Sequence, residues 1–233
     1  MQQMAKEDAY KLIYACFNSL EQAATLLEAE PSLVNERTGT GETPIHYLAI
    51  ENQLEAVQFL HQQDADLNTC DDFGDTPLMN IVGLGYRELV EYLLTHGADT
   101  SAINSIGESV LHYAVRGRYK GVEILQQLIA AGASASVTFR QNRDDTPLHL
   151  AVRENALEMA ELLILAGTDV NARCYFSETA LHIAADEGLL EMARLLIKYN
   201  ADPSALEDRG CTPADMAEDA GHTELAELLR SKS

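Results

Sequence analysis

The sequence predicts an all-α fold, a solenoid of about seven helix-turn-helix units that includes a cap at each end. One observation is a recurring tetrad: Thr43-Pro44-Ile45-His46, Thr76-Pro77-Leu78-Met79, Ser109-Val110-Leu111-His112, Thr146-Pro147-Leu148-His149, Thr179-Ala180-Leu181-His182 and Thr212-Pro213-Ala214-Asp215. The first residues of these tetrads lie 33, 33, 37, 33 and 33 residues apart. A fixed period of that size marks a stacked array of one supersecondary unit. The other observation is that each period carries the start, face and stop signals of two short helices.

The stretch 141–173 shows those signals in order. Thr146 suits a helix N-cap, because its hydroxyl accepts from an orphan amide of the first turn. Pro147 follows at the first helical position, where its missing N–H costs nothing. Leu148, Ala151 and Val152 fall on one face by the i, i+3, i+4 rule. Arg153-Glu154-Asn155 breaks the pattern after about two turns. Ala160, Leu163 and Ile164 mark the face of a second helix, and Gly167 supplies a left-handed stop. Neither helix is long enough to persist alone, since isolated helices under about 12 residues are marginal in water. Neighbouring units must cover their apolar faces. His149 belongs to this scheme as a buried residue whose ring nitrogens tie the helix start to the adjoining turn. A catalytic histidine is not repeated in near-copies, and Met79 shows that one unit does without it.

Composition narrows the function. Apolar residues make up 46% of the chain, enough for a continuous core. The opening "MQQMAKEDAYKLIYACF" carries charges where a signal peptide has an apolar stretch. No run of eighteen apolar residues predicts a membrane span. Cys16, Cys70, Cys174 and Cys211 form no CxxC pair, so reduced thiols in a cytosol-like compartment are expected. The net charge of −21 disfavours free nucleic acid and anionic membrane surfaces as partners.

The chain resembles the ankyrin-repeat family. The motifs that carry the resemblance are "TPIH", "TPLM", "SVLH", "TPLH", "TALH" and "TPAD", with "GAD", "GAS", "GTD" and "NAD" closing most second helices. They run through nearly the whole sequence. The resemblance implies stacked helix pairs with β-hairpin loops projecting as fingers, and a single domain over 1–233. The register places an N-terminal cap at 5–37, repeats at 38–70, 71–103, 104–140, 141–173 and 174–206, and a C-terminal cap at 207–233. It also implies a non-catalytic module that binds a protein partner through the fingers and the concave helix face.

Two departures locate a candidate surface. The third repeat has 37 residues, with extra residues around "RGRYKGVEI" and in "SVTFRQNRDD". Insertions are tolerated in loops, and binding residues concentrate there. Charge is also uneven. Residues 1–115 hold 4 basic and 18 acidic residues, 116–173 hold 7 of each, and 174–233 hold 5 and 12. The implied fold gathers Arg116, Arg118, Arg140, Arg143, Arg153 and Arg173 on one surface within an acidic array. Tyr119, Phe139, Tyr175 and Phe176 accompany them in loops, as does Phe73 further up the chain. Tyr47 and Tyr113 align with Leu150 and Ile183 and are expected in the core.

The partner-binding residues are therefore Arg116, Arg118, Tyr119, Phe139, Arg140, Arg143, Arg153, Arg173, Tyr175 and Phe176. No enzymatic activity, cofactor or metal is expected: there is no GxGxxG, P-loop or HExxH motif, and no cysteine has a histidine at a motif spacing. A ladder of tetrad histidines fails as a metal site, since packed units lie about 10 Å apart and zinc bonds are about 2 Å. The expectation is a monomeric cytoplasmic protein. The alternatives are an acidic inhibitor or immunity-type protein that blocks a basic enzyme, and a secreted effector that engages a host protein.

Overall fold

The computed structural model describes residues 2–117, 121–136 and 145–232, with side chains from Asp8 onward. Arg118, Tyr119, Phe139, Arg140 and Arg143 lie outside the described residues. Fourteen α-helices run through the described residues, with two short 3-10 turns and no strand. They fall into two compact units. One holds the residues up to Ser105 together with Gly117; the other holds Ile106–Arg116 and the described residues from Gly121 on.

In the first compact unit, α1 (Gln2–Asn18) and α2 (Leu20–Ala29) precede the 3-10 turn Pro31–Asn35. Two helix pairs follow: α3 (Pro44–Ile50) with α4 (Leu54–Gln62), and α5 (Pro77–Val82) with α6 (Arg87–Thr95). The first helices stack α1 on α3 and α3 on α5, and each pairs with its own second helix. Leu12, Ile13, Ile45, Leu48, Leu78, Ile81, Leu89 and Leu93 are fully buried between them.

In the second compact unit the pairs are α7 (Val110–Arg116) with α8 (Val122–Ala130) and α9 (Pro147–Arg153) with α10 (Leu157–Leu165). They continue as α11 (Ala180–Asp186) with α12 (Leu190–Lys198) and α13 (Pro213–Asp219) with α14 (Thr223–Arg230). The first helices α7, α9, α11 and α13 stack in order, and so do the second helices α8, α10 and α12. This is why helices of only seven to nine residues are stable here. The apolar face of each is covered by its partner and by the adjacent pair.

The helix ends follow the local chemistry. Second helices stop on Gly97, Gly132 and Gly167, all with positive φ, and on Asp64 and Asn200 in two other repeats. The left-handed region favours glycine because it lacks Cβ, and Asp and Asn tolerate it better than other residues. Tyr47 and Tyr113 depart from expectation. Both are half-buried, not core, whereas Ile183 is fully buried. The Tyr47 ring lies edge-on to Tyr10 and Phe17 at centroid distances of 6.2 and 6.4 Å. A phenol at the margin of a helix face keeps its body on apolar neighbours and its hydroxyl near water.

Candidate functional site

The tetrad histidines are structural pins. Thr146 caps α9, and its backbone N–H donates to His149 Nδ1 at 3.1 Å. Nδ1 is thereby an acceptor, so the ring proton sits on Nε2, which donates to the Ala172 carbonyl at 3.1 Å. One imidazole thus completes a capping box and ties its repeat to the next loop. His46, His112 and His182 make the same amide contact with Thr43, Ser109 and Thr179. Their Nε2 atoms reach the carbonyls of Asp75, Asp145 and Cys211. Burial lowers the pKa of all four, to about 4 for His112 and His149. They are neutral near pH 7, with both ring nitrogens engaged. In the second repeat Met79 fills the position, and Thr76 still accepts from its amide at 3.3 Å.

The loops before each tetrad form the candidate surface. Four of them, at 38–42, 71–75, 174–178 and 207–211, are closed end to end by a backbone bond. In the first compact unit, Thr38 N–H donates to Glu42 O at 2.8 Å and Asp71 N–H to Asp75 O at 3.0 Å. In the second, Cys174 N–H donates to Glu178 O at 2.8 Å and Glu207 N–H to Cys211 O at 3.1 Å. Adjacent loops are joined within each unit, by Ser105 N–H to Phe73 O and by Asp208 N–H to Phe176 O, both at 2.9 Å.

In two of these loops an acid at the first position braces the turn. Asp71 Oδ1 accepts from the amides of Phe73 and Asp75, and Glu207 Oε1 from those of Arg209 and Cys211. Cys174 has no carboxylate to do this, and its loop turns differently. It makes a short 3-10 turn, Tyr175–Ser177, with Phe176 and Ser177 both at positive φ. Tyr175 and Phe176 are then 52% and 54% exposed, with ring centroids 3.9 Å apart. Phe73, on its own loop in the first compact unit, is 63% exposed. These exposures identify the loop aromatics as surface groups and not as core.

The described arginines among the candidates have internal partners. Arg116 pairs with Glu108, which is buried. Arg153 Nε lies 3.6 Å from Asp145 Oδ2, and its Nη2 lies 3.9 Å from Glu178 Oε2. Arg173 Nη1 donates to the carbonyls of Ser177 at 2.9 Å and Leu206 at 2.7 Å, bracing the loop that carries Tyr175 and Phe176. The structure thus joins Arg173 to the aromatic pair, while Arg153 lies against the buried Asp145 and the half-buried Glu178.

The sequence reading missed one constellation. Asp145, His149 and Cys174 are all buried, and their ligand-type atoms lie within 4.8 Å of one another. Burial, followed by the charge of Asp145, pushes the Cys174 thiol up to about 12, so it is no nucleophile. Cys174 stands where Asp71 and Glu207 stand in their loops, and that substitution was the available signal. His149 lies 25 positions away, a separation that matches no compact motif.

The helix pairs, tetrad pins and projecting loops define a class of repeat protein, and sequence comparison agrees. The family model for ankyrin repeats (3 copies) matches residues 12–104, 48–138, 101–174 and 148–233, so the chain belongs to the ankyrin-repeat family. Among curated relatives it is 40% identical over 68 residues to NF-kappa-B inhibitor alpha of Gallus gallus. It is 46% identical over 54 residues to putative ankyrin repeat protein L271 of Acanthamoeba polyphaga mimivirus. These matches cover 28% and 23% of this chain but only 21% and 7% of those relatives.

Solved structures match over far more of the chain. The ankyrin repeat domain of Bcl-3, a member of the IkappaB protein family, superposes with a TM-score of 0.82 at 26% identity, covering 94% of this chain and 96% of that one. A chain from the complex of the Bd0816 predatory endopeptidase of Bdellovibrio bacteriovorus with immunity protein Bd3460 superposes with a TM-score of 0.73. The identity there is 28%, over 84% of this chain and all of the other. Among the described residues, no helix is long and apolar enough to cross a membrane.

Proposed function

We propose that this protein is a non-catalytic module that binds a protein partner through its loop tips and the exposed face of its first helices. The observation that carries the reading is the exposed Tyr175–Phe176 pair, held out by a loop that Arg173 braces from two sides. Large aromatics on a preorganised loop are the residues that dominate interface energetics. The seven remaining candidates other than Arg173 and the aromatic pair are not needed for this core: Arg116 and Arg153 are engaged as ion-pair partners, and Arg118, Arg140 and Arg143 supply the basic character of the central segment. Tyr119 and Phe139 complete the set of loop aromatics assigned to the surface.

A second reading has its own support. The first 115 residues carry 18 acidic and 4 basic residues, a charge that suits an inhibitor of a basic enzyme. The structural likeness to a chain from an endopeptidase–immunity protein complex favours the same direction.

One experiment separates the two. A partner captured from the source organism is titrated against two double variants, Tyr175→Ser with Phe176→Ser and Asp71→Lys with Asp72→Lys. The aromatic reading requires the first to weaken binding by more than about 2 kcal/mol, a hot-spot loss. It requires the second to act mainly through association rate and salt dependence, as rim charges do. The opposite pattern rejects it in favour of the acidic surface.

A further inference from the structure

We propose that Asp145, His149 and Cys174 form a binding site for one zinc-class divalent ion, independent of the partner surface. The three donors come from separate segments: the residue just before the α9 cap, the first turn of α9, and the first position of the following loop. They offer one oxygen, one nitrogen and one sulfur, all buried, within 4.8 Å of one another. Three atoms so spaced have a common point no more than about 2.8 Å from each, against zinc bonds of about 2.0–2.3 Å, so a contraction of about half an ångström closes the site. A mixed thiolate, imidazole and carboxylate set suits zinc better than magnesium or calcium, which take oxygen ligands.

Two features point to a ligand here. Asp145 is 3% exposed, and its Oδ1 is buried without a hydrogen-bond partner. A buried carboxylate oxygen without a partner is costly, and a cation repays that cost. His149 is also the exception among the tetrad histidines. The other three direct Nε2 to the carbonyl of the last residue in a following loop, Asp75, Asp145 or Cys211. By the same register His149 should reach Glu178, but its Nε2 turns to Ala172, two residues before Cys174. Among the described residues no other group of three or more such side chains meets the same geometry. Charge is compatible as well. Asp145 and Glu178 share the single guanidinium of Arg153, so the cluster carries surplus negative charge.

Binding balances as follows. The Cys174 S–H bond breaks, a metal–sulfur bond forms, and one proton leaves to solvent. The His149 ring proton moves from Nε2 to Nδ1, where Thr146 Oγ1 lies 2.9 Å away to accept it, and the Nε2 lone pair is freed for the ion. The Ala172 bond and the Thr146 amide bond to Nδ1 are both given up in exchange.

The test uses chelator-treated, reduced full-length protein titrated with cobalt(II), whose bond to thiolate gives a near-ultraviolet charge-transfer band. The expected result is a saturable band at one ion per chain that zinc(II) displaces. It should be absent in Cys174→Ser, present in Cys70→Ser and shifted at least tenfold to weaker binding in Asp145→Asn. Coordination by surface histidines or carboxylates alone gives no sulfur band and overturns the proposal, as does a band that survives in Cys174→Ser. If Cys174→Ser fails to fold by circular dichroism, Asp145→Asn decides, and unchanged affinity there rejects the site.

Discussion

Replacing His149 by alanine strands two buried groups, the Thr146 amide and the Ala172 carbonyl, which the imidazole now bridges. Each unsatisfied group costs about 1–3 kcal/mol, and water that enters the vacated space returns part of it, so a net loss of about 2–4 kcal/mol follows at pH 7.5. For a chain of this length that is a drop of roughly 5–15 °C in the melting midpoint. The pH dependence makes the argument specific. The folded-state pKa of His149 is about 4, below the ordinary value of 6.5, so the unfolded chain binds the extra proton between those limits. The wild type therefore loses stability as pH falls from 6.5 toward 4, and His149→Ala lacks that contribution. At pH 5 the loss in the wild type amounts to about 2 kcal/mol, from 1.36 kcal/mol per pKa unit, and the penalty of the substitution shrinks by that amount. Circular dichroism melts of both proteins at pH 7.5 and pH 5, with chelator present to remove any metal contribution, measure it. A penalty equal at both pH values would refute the neutral, buried assignment. Loss of partner binding or of a turnover with an unchanged melt would refute the scaffold role itself.

Two further substitutions probe the packing. Gly74 has φ +84, and a Cβ there would lie 2.8 Å from the Ser105 amide nitrogen and 3.0 Å from Asn104 Cα. Gly74→Ala should cost about 1–3 kcal/mol, read as a fall in the denaturation midpoint, and a neutral result would mean that this loop is not held as described. Arg153→Met should cost about 1–3 kcal/mol at pH 7.5, a reduced value for a buried pair because the contacts are 3.6 and 3.9 Å long. Burial raises the pKa of Glu178, so on acidification the folded state takes up that proton first and the Arg153→Met penalty should shrink, whereas a growing penalty would contradict the pairing.

Much of this molecule was legible in the residues. A threonine cap, a proline at the first helical position and a left-handed stop act within a few residues of themselves. Their repetition at a 33-residue period was therefore enough to place seven helix pairs and to give His149 its structural role. The loop aromatics Tyr175 and Phe176 also stood out as surface candidates, because loops are normally polar and exposed aromatics there are the less expected choice.

What a side chain does at the boundary between repeats depends on partners 25–37 positions away in the chain, and only the tertiary structure decides it. Arg116, Arg153 and Arg173 read alike as basic loop and helix-end residues, yet Arg153 also reaches toward Glu178 and Arg173 donates to the Leu206 carbonyl, contacts that only the stacking of repeats supplies. Tyr47 aligned with the apolar Leu150 and Ile183, but only Ile183 is fully buried, and Tyr47, like Leu150, is half-buried. Cys174 looked like an isolated thiol until stacking set it beside His149 and Asp145. Hydrogen bonds and caps within one turn are written locally, whereas burial and charge pairing are set by whatever the next repeat presents.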